Sequence, residues 1–215
     1  MPGITISSAY GAGGSVVAPK VAERLGVTML DRAISARVAD DLQVSLDEAQ
    51  HGERKQSFAD RFFCALAPLA DTVAGDAEIA RSDQAGASEF RAEANRIMSD
   101  ALDKGAVILG RGGAAAFQDR DDVLHIRFYG TPEQRLDAAM RFSGVSEDEA
   151  RRHMEQTDAA RAKYVHHLYG RDIDDPALYH LQFNTPLLEQ GQCIEMIVTA
   201  YQAFLAKKGE RVAAG

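Results

Sequence analysis

The chain has 215 residues, 46% hydrophobic and 26% charged, with 32 acidic side chains against 24 basic ones and a formal net charge of −8. That length and apolar content suit one medium domain, 1–215, that buries a substantial core and carries an insertion. The acidic balance excludes general nucleic-acid affinity, which needs a basic surface. No apolar run reaches the roughly 18 residues a membrane span needs, and no basic, apolar leader opens the chain, so a cytoplasmic protein without membrane contact is expected.

Taken in order, Ile4-Thr5-Ile6-Ser7 forms a short apolar strand and runs into Ser8-Ala9-Tyr10-Gly11-Ala12-Gly13-Gly14-Ser15, then the helical pattern Val16-Val17-Ala18. Strand, glycine-rich turn and helix start together bind phosphate. The glycines let backbone N–H groups turn inward on an anion, and the helix adds the positive end of its dipole. Against G-x-x-x-x-G-K-[ST] the loop departs twice, with Ser8 at the first glycine and Gly14 at the lysine. Gly11, Ala12, Gly13 and Gly14 are the expected cradle and the Ser15 hydroxyl a Mg²⁺ ligand, while another cation must replace the lysine. A turn that only joins strand to helix fits the same residues.

A second strand at 27–30 ends in Asp31-Arg32, at the same sheet edge. Asp31 suits a ligand in the cleft and equally a helix cap. The stretch 33–100 is helical in composition and longer than a single crossover helix, which marks an inserted subdomain. Within it, Ser45-Leu46-Asp47-Glu48 is a helix start. Residues 75–88 read as its most loop-like part, and Phe58, Phe62, Phe63 and Leu66 serve a core or a homodimer contact, the core being the simpler use.

The strand at 106–110 ends in Arg111 between Gly110 and Gly112, at the carboxyl edge of the sheet, where an arginine can grip a phosphate with both arms. A strand at 122–129 follows. Thr131-Pro132-Glu133-Gln134 and Ser146-Glu147-Asp148-Glu149 are helix starts, and Gly144 and Gly170 stop the helices before them. The helix from about Glu147 to Leu168 places Arg151, Asp158 and Arg161 on one face and carries Lys163 and Tyr164, an arrangement that suits an arm (145–176) closing on a phosphoryl group. A solvated helix with intrahelical ion pairs fits that spacing too, and His166-His167 reads as exposed histidine. A fifth strand lies at 181–184. Cys64 and Cys193 have neither C-x-x-C nor metal spacing and are expected as isolated reduced thiols.

Residues 4–14, Leu30-Asp31-Arg32, Val107-Ile108-Leu109-Gly110-Arg111-Gly112, Thr157-Asp158-Ala159-Ala160-Arg161-Ala162-Lys163-Tyr164, Tyr169-Gly170 and Asp174-Asp175-Pro176 together resemble the cytidylate kinase-like family over nearly the whole chain. In that family glycine-glycine commonly stands where the lysine is expected. The resemblance implies an α/β, three-layer P-loop NTPase fold of the nucleoside monophosphate kinase type: a five-stranded parallel sheet with helices on both faces, a helical insertion for the acceptor and a helical lid. It implies ATP and Mg²⁺ as cofactors and a small nucleotide as substrate. Gly11 to Ser15 would hold the ATP phosphates, Asp31, Arg32 and Arg111 the acceptor, and Arg161 with Lys163, supported by Asp158, the transferring phosphate. True cytidylate kinases carry Asp-Gly-Arg-Asp where this chain reads Leu109-Gly110-Arg111-Gly112, so only the arginine is shared.

Three functions follow from these residues. The first is a kinase acting on a CMP- or dCMP-like monophosphate or another small acceptor. The second is an ATP-binding regulator with little turnover, suggested by the absent lysine. The third is a dinucleotide-binding oxidoreductase, since Gly11-Ala12-Gly13 precedes a helix and Asp31 follows about twenty residues later. Val16 at the third glycine's position and the four residues between the strand and Gly11 count against that third reading.

Overall fold

In the computed structural model, residues 3–31 and 79–213 are described. Each run predicted as a strand is one: β1 (Gly3–Ser8), β2 (Thr28–Leu30), β3 (Ala106–Leu109), β4 (Val123–Tyr129) and β5 (Leu181–Asn184). All neighbours pair in parallel, in the order β2-β3-β1-β4-β5. Short apolar segments suit this arrangement because a parallel sheet is covered on both faces.

The helices are α1 (Gly14–Leu25), α2 (Ile79–Asp103), α3 (Gly113–Ala116), α4 (Pro132–Ser143), α5 (Glu147–Tyr169) and α6 (Gln190–Ala213). On one side of the sheet Ile4, Ile6, Leu124, Ile126 and Phe128 bury against Val17, Val21 and Ala22 of α1 and Cys193, Ile197 and Tyr201 of α6. On the other side Ile108 and Val123 meet Met98 and Leu102 of α2, while α3 packs on α5 through Ala114, Ala115, Tyr164 and Val165. Each fully buried Val, Leu, Ile, Met or Phe among these contributes roughly 1.5–3 kcal/mol. No described helix is long and apolar enough to cross a membrane.

Thr131 and Ser146 each form a capping box, and Gly144 and Gly170 end α4 and α5 in the left-handed conformation, as their positions in the sequence predict. Of the predicted loop 75–88, residues 75–78 lie outside the described residues and 79–88 depart from expectation. From Ile79 onward they are helix, the first turns of α2. The lone glycine of α2, Gly86, costs a helix only about 1 kcal/mol, and the alanines and charged residues around it carry the helix through. The predicted helix start at Ser45, the Phe58, Phe62, Phe63 and Leu66 cluster, Cys64 and Arg32 lie outside the described residues. The middle of α2 is tied to the end of α5: Arg91 donates to the Leu168 carbonyl at 3.0 Å and Tyr169 to Asn95 at 2.9 Å.

The strand order also separates this fold from dinucleotide-binding sheets. There β2 lies beside β1 and its terminal acid reaches the ribose. Here β3 sits between them, so Asp31 ends a strand two places away from the glycine-rich turn. The oxidoreductase reading loses its geometry.

Candidate active site

The turn Ala9–Gly13 joins β1 to α1 at the carboxyl edge of the sheet. Gly11 and Gly13 both sit at φ 73, in the left-handed region. Gly13 caps α1 without any side-chain hydrogen bond, and no acid occupies the first turn of that helix. The cap and first turn of α1 therefore leave its positive end unneutralised, which is the condition for anion binding there. Ser15 is exposed at this end.

Beside the turn lies a small recess, open to solvent, lined by Ser7, Ser8, Gly110, Arg111, Gly112, Arg161, Tyr164, Val165 and Ile173. It falls between the ends of β1 and β3, where the chain connections leave in opposite directions and ligands of open α/β sheets bind. Among the described residues, two guanidiniums and no carboxylate line it. Arg111 reaches it from a strained backbone: at φ 56 it is the one left-handed non-glycine residue among those described, and its Nε donates to the Asp31 carbonyl at 3.1 Å. Burial lowers the Arg111 guanidinium from its usual value, although an arginine stays charged at neutral pH. Burial likewise raises the Tyr164 phenol and pushes Tyr169 up to about 12, so both stay neutral.

Arg161 enters from α5 and donates from Nη1 to the Ser8 carbonyl at 2.9 Å. Asp158, one turn earlier, lies 3.7 Å from it. The carboxylate's closer partners are elsewhere: Oδ1 accepts the Tyr10 N–H at 2.9 Å, and Oδ2 accepts from Arg135. Arg135 also donates to the Tyr10 carbonyl at 3.1 Å. The pair thus holds both backbone groups of one loop residue and fastens α4 and α5 to the turn. Lys163 is exposed and does not line the recess, and Arg151 pairs with Glu147 on the solvent side at 2.8 Å. The structure brings Gly11 to Ser15, Arg111, Arg161 and Asp158 to one end of the sheet and leaves Lys163 outside.

Arg127 and Arg135 escaped sequence reasoning. Arg127 is buried on β4, donates to Ser7 at 2.7 Å and to Asp174, and so ties the segment after α5 to the floor of the recess. A charged residue in the middle of Val123-Leu124-His125-Ile126-Arg127-Phe128 is itself a signal, since a buried arginine demands a partner. Nothing in the sequence around Arg135 marks it. For a divalent ion, no group of three His, Cys, Asp or Glu side chains exists among the described residues. Ser15 fits a Mg²⁺ that draws its remaining ligands from phosphates and water, as that ion usually does.

Solved structures are similar to the chain to different degrees. An uncharacterized protein from Eubacterium ventriosum matches with a TM-score of 0.60 at 17% identity, covering 94% of this chain and 99% of that one, a likeness of fold alone. Shikimate kinase from Acinetobacter baumannii gives 0.47 at 16% identity, covering 97% of this chain and 95% of the other. Deoxyadenosine kinase from M. mycoides gives 0.44 at 11%, covering 94% and 100%. A curated uronate isomerase of Corynebacterium glutamicum is 31% identical over 131 residues, 59% of this chain; the match spans only 24% of that protein. The profile of the cytidylate kinase-like family matches residues 3–186, most of the chain, and the protein belongs to that family.

Proposed function

We propose that the protein is a phosphotransferase that binds ATP with Mg²⁺ at Gly11–Ser15 and passes the γ-phosphate to a small anionic acceptor, of the CMP or dCMP kind, seated in the recess. The observation that carries this reading is the junction of a glycine-rich helix start, without a side-chain cap, with a recess that holds Arg111 and Arg161 and, among the described residues, no carboxylate. Phosphoryl transfer asks little covalent chemistry of a protein and much positioning and charge. Backbone N–H groups of the turn hold the nucleotide phosphates, Arg111 orients the acceptor, and Arg161 offsets charge on the moving group. Mg²⁺, held through Ser15 and water, supplies neutralisation of the nucleotide phosphates when bound. An acceptor phosphate is already ionised and needs no general base.

The test is turnover of ATP against CMP, dCMP and UMP, with Arg161→Ala as the control. Activity lost in that variant supports the kinase. A second reading, an ATP-binding regulator, is favoured by the glycine at position 14 and by the exposed position of Lys163. ATP binding without turnover on any acceptor selects it.

A further inference from the structure

The following rests on the nucleotide-binding reading of the turn. Position 14 holds glycine where phosphate loops carry lysine, and the packing around it gives a reason. A Cβ placed on Gly14 lies 2.5 Å from Ser8 Cβ, 2.6 Å from Ser8 Oγ and 3.2 Å from Leu109 Cδ1. Ser8 is buried at the end of β1, paired in register with Phe128, so its Cβ moves only if the strand moves. Side chains at 8 and at 14 therefore exclude each other. The consensus loop places glycine at the first position and lysine at the second; this chain reverses the pair.

The same Ser8 marks where the charge comes from. Its carbonyl accepts from Arg161 Nη1 at 2.9 Å, and Arg161, with its side chain 12% exposed, lines the recess. Arg135, the other guanidinium on the turn, is directed at Gly130, Tyr10 and Asp158 and is absent from the recess lining. We propose that Ser8 and Gly14 are a coupled exchange that closes the loop to a lysine from its own helix, and that Arg161 of α5 supplies the cradle's positive charge from across the recess. A guanidinium presents a two-armed fork to phosphate, where an ammonium is a point charge. The charge then arrives with the helical arm instead of with the loop.

A thermal-melting cycle tests the exclusion without any ligand. Gly14→Ala should lower Tm, and Ser8→Gly/Gly14→Ala should recover at least half of the loss; additive losses overturn the exchange. Calorimetry with MgATP tests the charge. Arg161→Ala should weaken binding about tenfold in the native loop but about threefold or less in the Ser8→Gly/Gly14→Lys loop. An equal loss in both, or a lysine-bearing loop that does not fold, overturns the proposal. Failure of the unmodified protein to bind MgATP would instead sink the nucleotide reading, and the melting cycle would still decide the steric half.

Discussion

Two glycine-rich turns stand side by side at the carboxyl edge of the sheet and use one backbone device for opposite ends. After β1, Gly11 and Gly13 take φ 73; after β3, Gly110, Arg111 and Gly112 take φ 79, 56 and 64. Each turn closes on a left-handed glycine that caps a helix without side-chain help. In the first, Gly11 is closely packed but a Cβ on Gly13 would meet no described residue within 4 Å, so the turn is open at Gly13, where α1 starts. In the second, Cβ atoms on Gly112 and Gly113 would lie 2.7 Å from the Tyr169 ring and 3.0 Å from Thr5 Cγ2, so the turn is packed and delivers a side chain. A left-handed arginine costs about 1–2 kcal/mol. That cost falls on a residue whose guanidinium lines the recess, which is where strain carries function.

The contrast can be broken most severely at Gly11. Its Cβ would lie 2.2 Å from the Arg135 carbonyl oxygen, at φ 73. Gly11→Ala should cost roughly 4 kcal/mol from strain and overpacking together and lower Tm by roughly 8–16 °C. Gly13→Ala, with the same φ but open space, should cost only about 1 kcal/mol. Equal losses at the two positions would mean that close approach plays no part in shaping the first turn.

Thr5, against which Gly113 packs, is hydrogen-bonded to a buried histidine. His125 Nε2 faces the Phe117 carbonyl at 3.1 Å, which only accepts, so Nε2 carries the proton and Nδ1 accepts from Thr5 at 2.6 Å. Burial, with a smaller push from His180, lowers its pKa from 6.5 to about 4. Between those values the unfolded chain binds more protons, so stability is whole above pH 6.5 and falls as pH drops toward 4, by up to roughly 3 kcal/mol. Denaturant titrations across that range should show the slope, and His125→Gln should flatten it. A slope unchanged in the variant would place its origin elsewhere.

Arg111→Gly sharpens the comparison with the smallest change in stability. Strain relief of about 1–2 kcal/mol offsets the glycine's entropy and the lost bond to Asp31, leaving Tm within about 3 °C. The acceptor KM should rise about tenfold or more. A large fall in Tm with KM unmoved would make the arginine structural.

Much of this was legible in the sequence. Apolar runs, Thr131 and Ser146 as caps and Gly144 and Gly170 as stops fixed most element boundaries, because local chemistry decides them. Packing across the molecule was not legible. The sequence shows a missing lysine, but only coordinates show that Ser8 fills its root. Asp158 reads as the partner of Arg161 from helical spacing, yet its nearer bonds go to Tyr10 and Arg135, 148 and 23 residues away. Lys163 had a warning in the periodicity, since residues two apart on a helix point in nearly opposite directions.

The central claim is that the β1 turn is a nucleotide cradle without a lysine. Calorimetric titration of the intact protein with ATP, with and without Mg²⁺, tests it most directly. The account predicts one site with a Kd on the order of micromolar that depends on Mg²⁺. A folded protein that gives no binding heat and no thermal shift with MgATP would contradict it and leave the turn a structural joint.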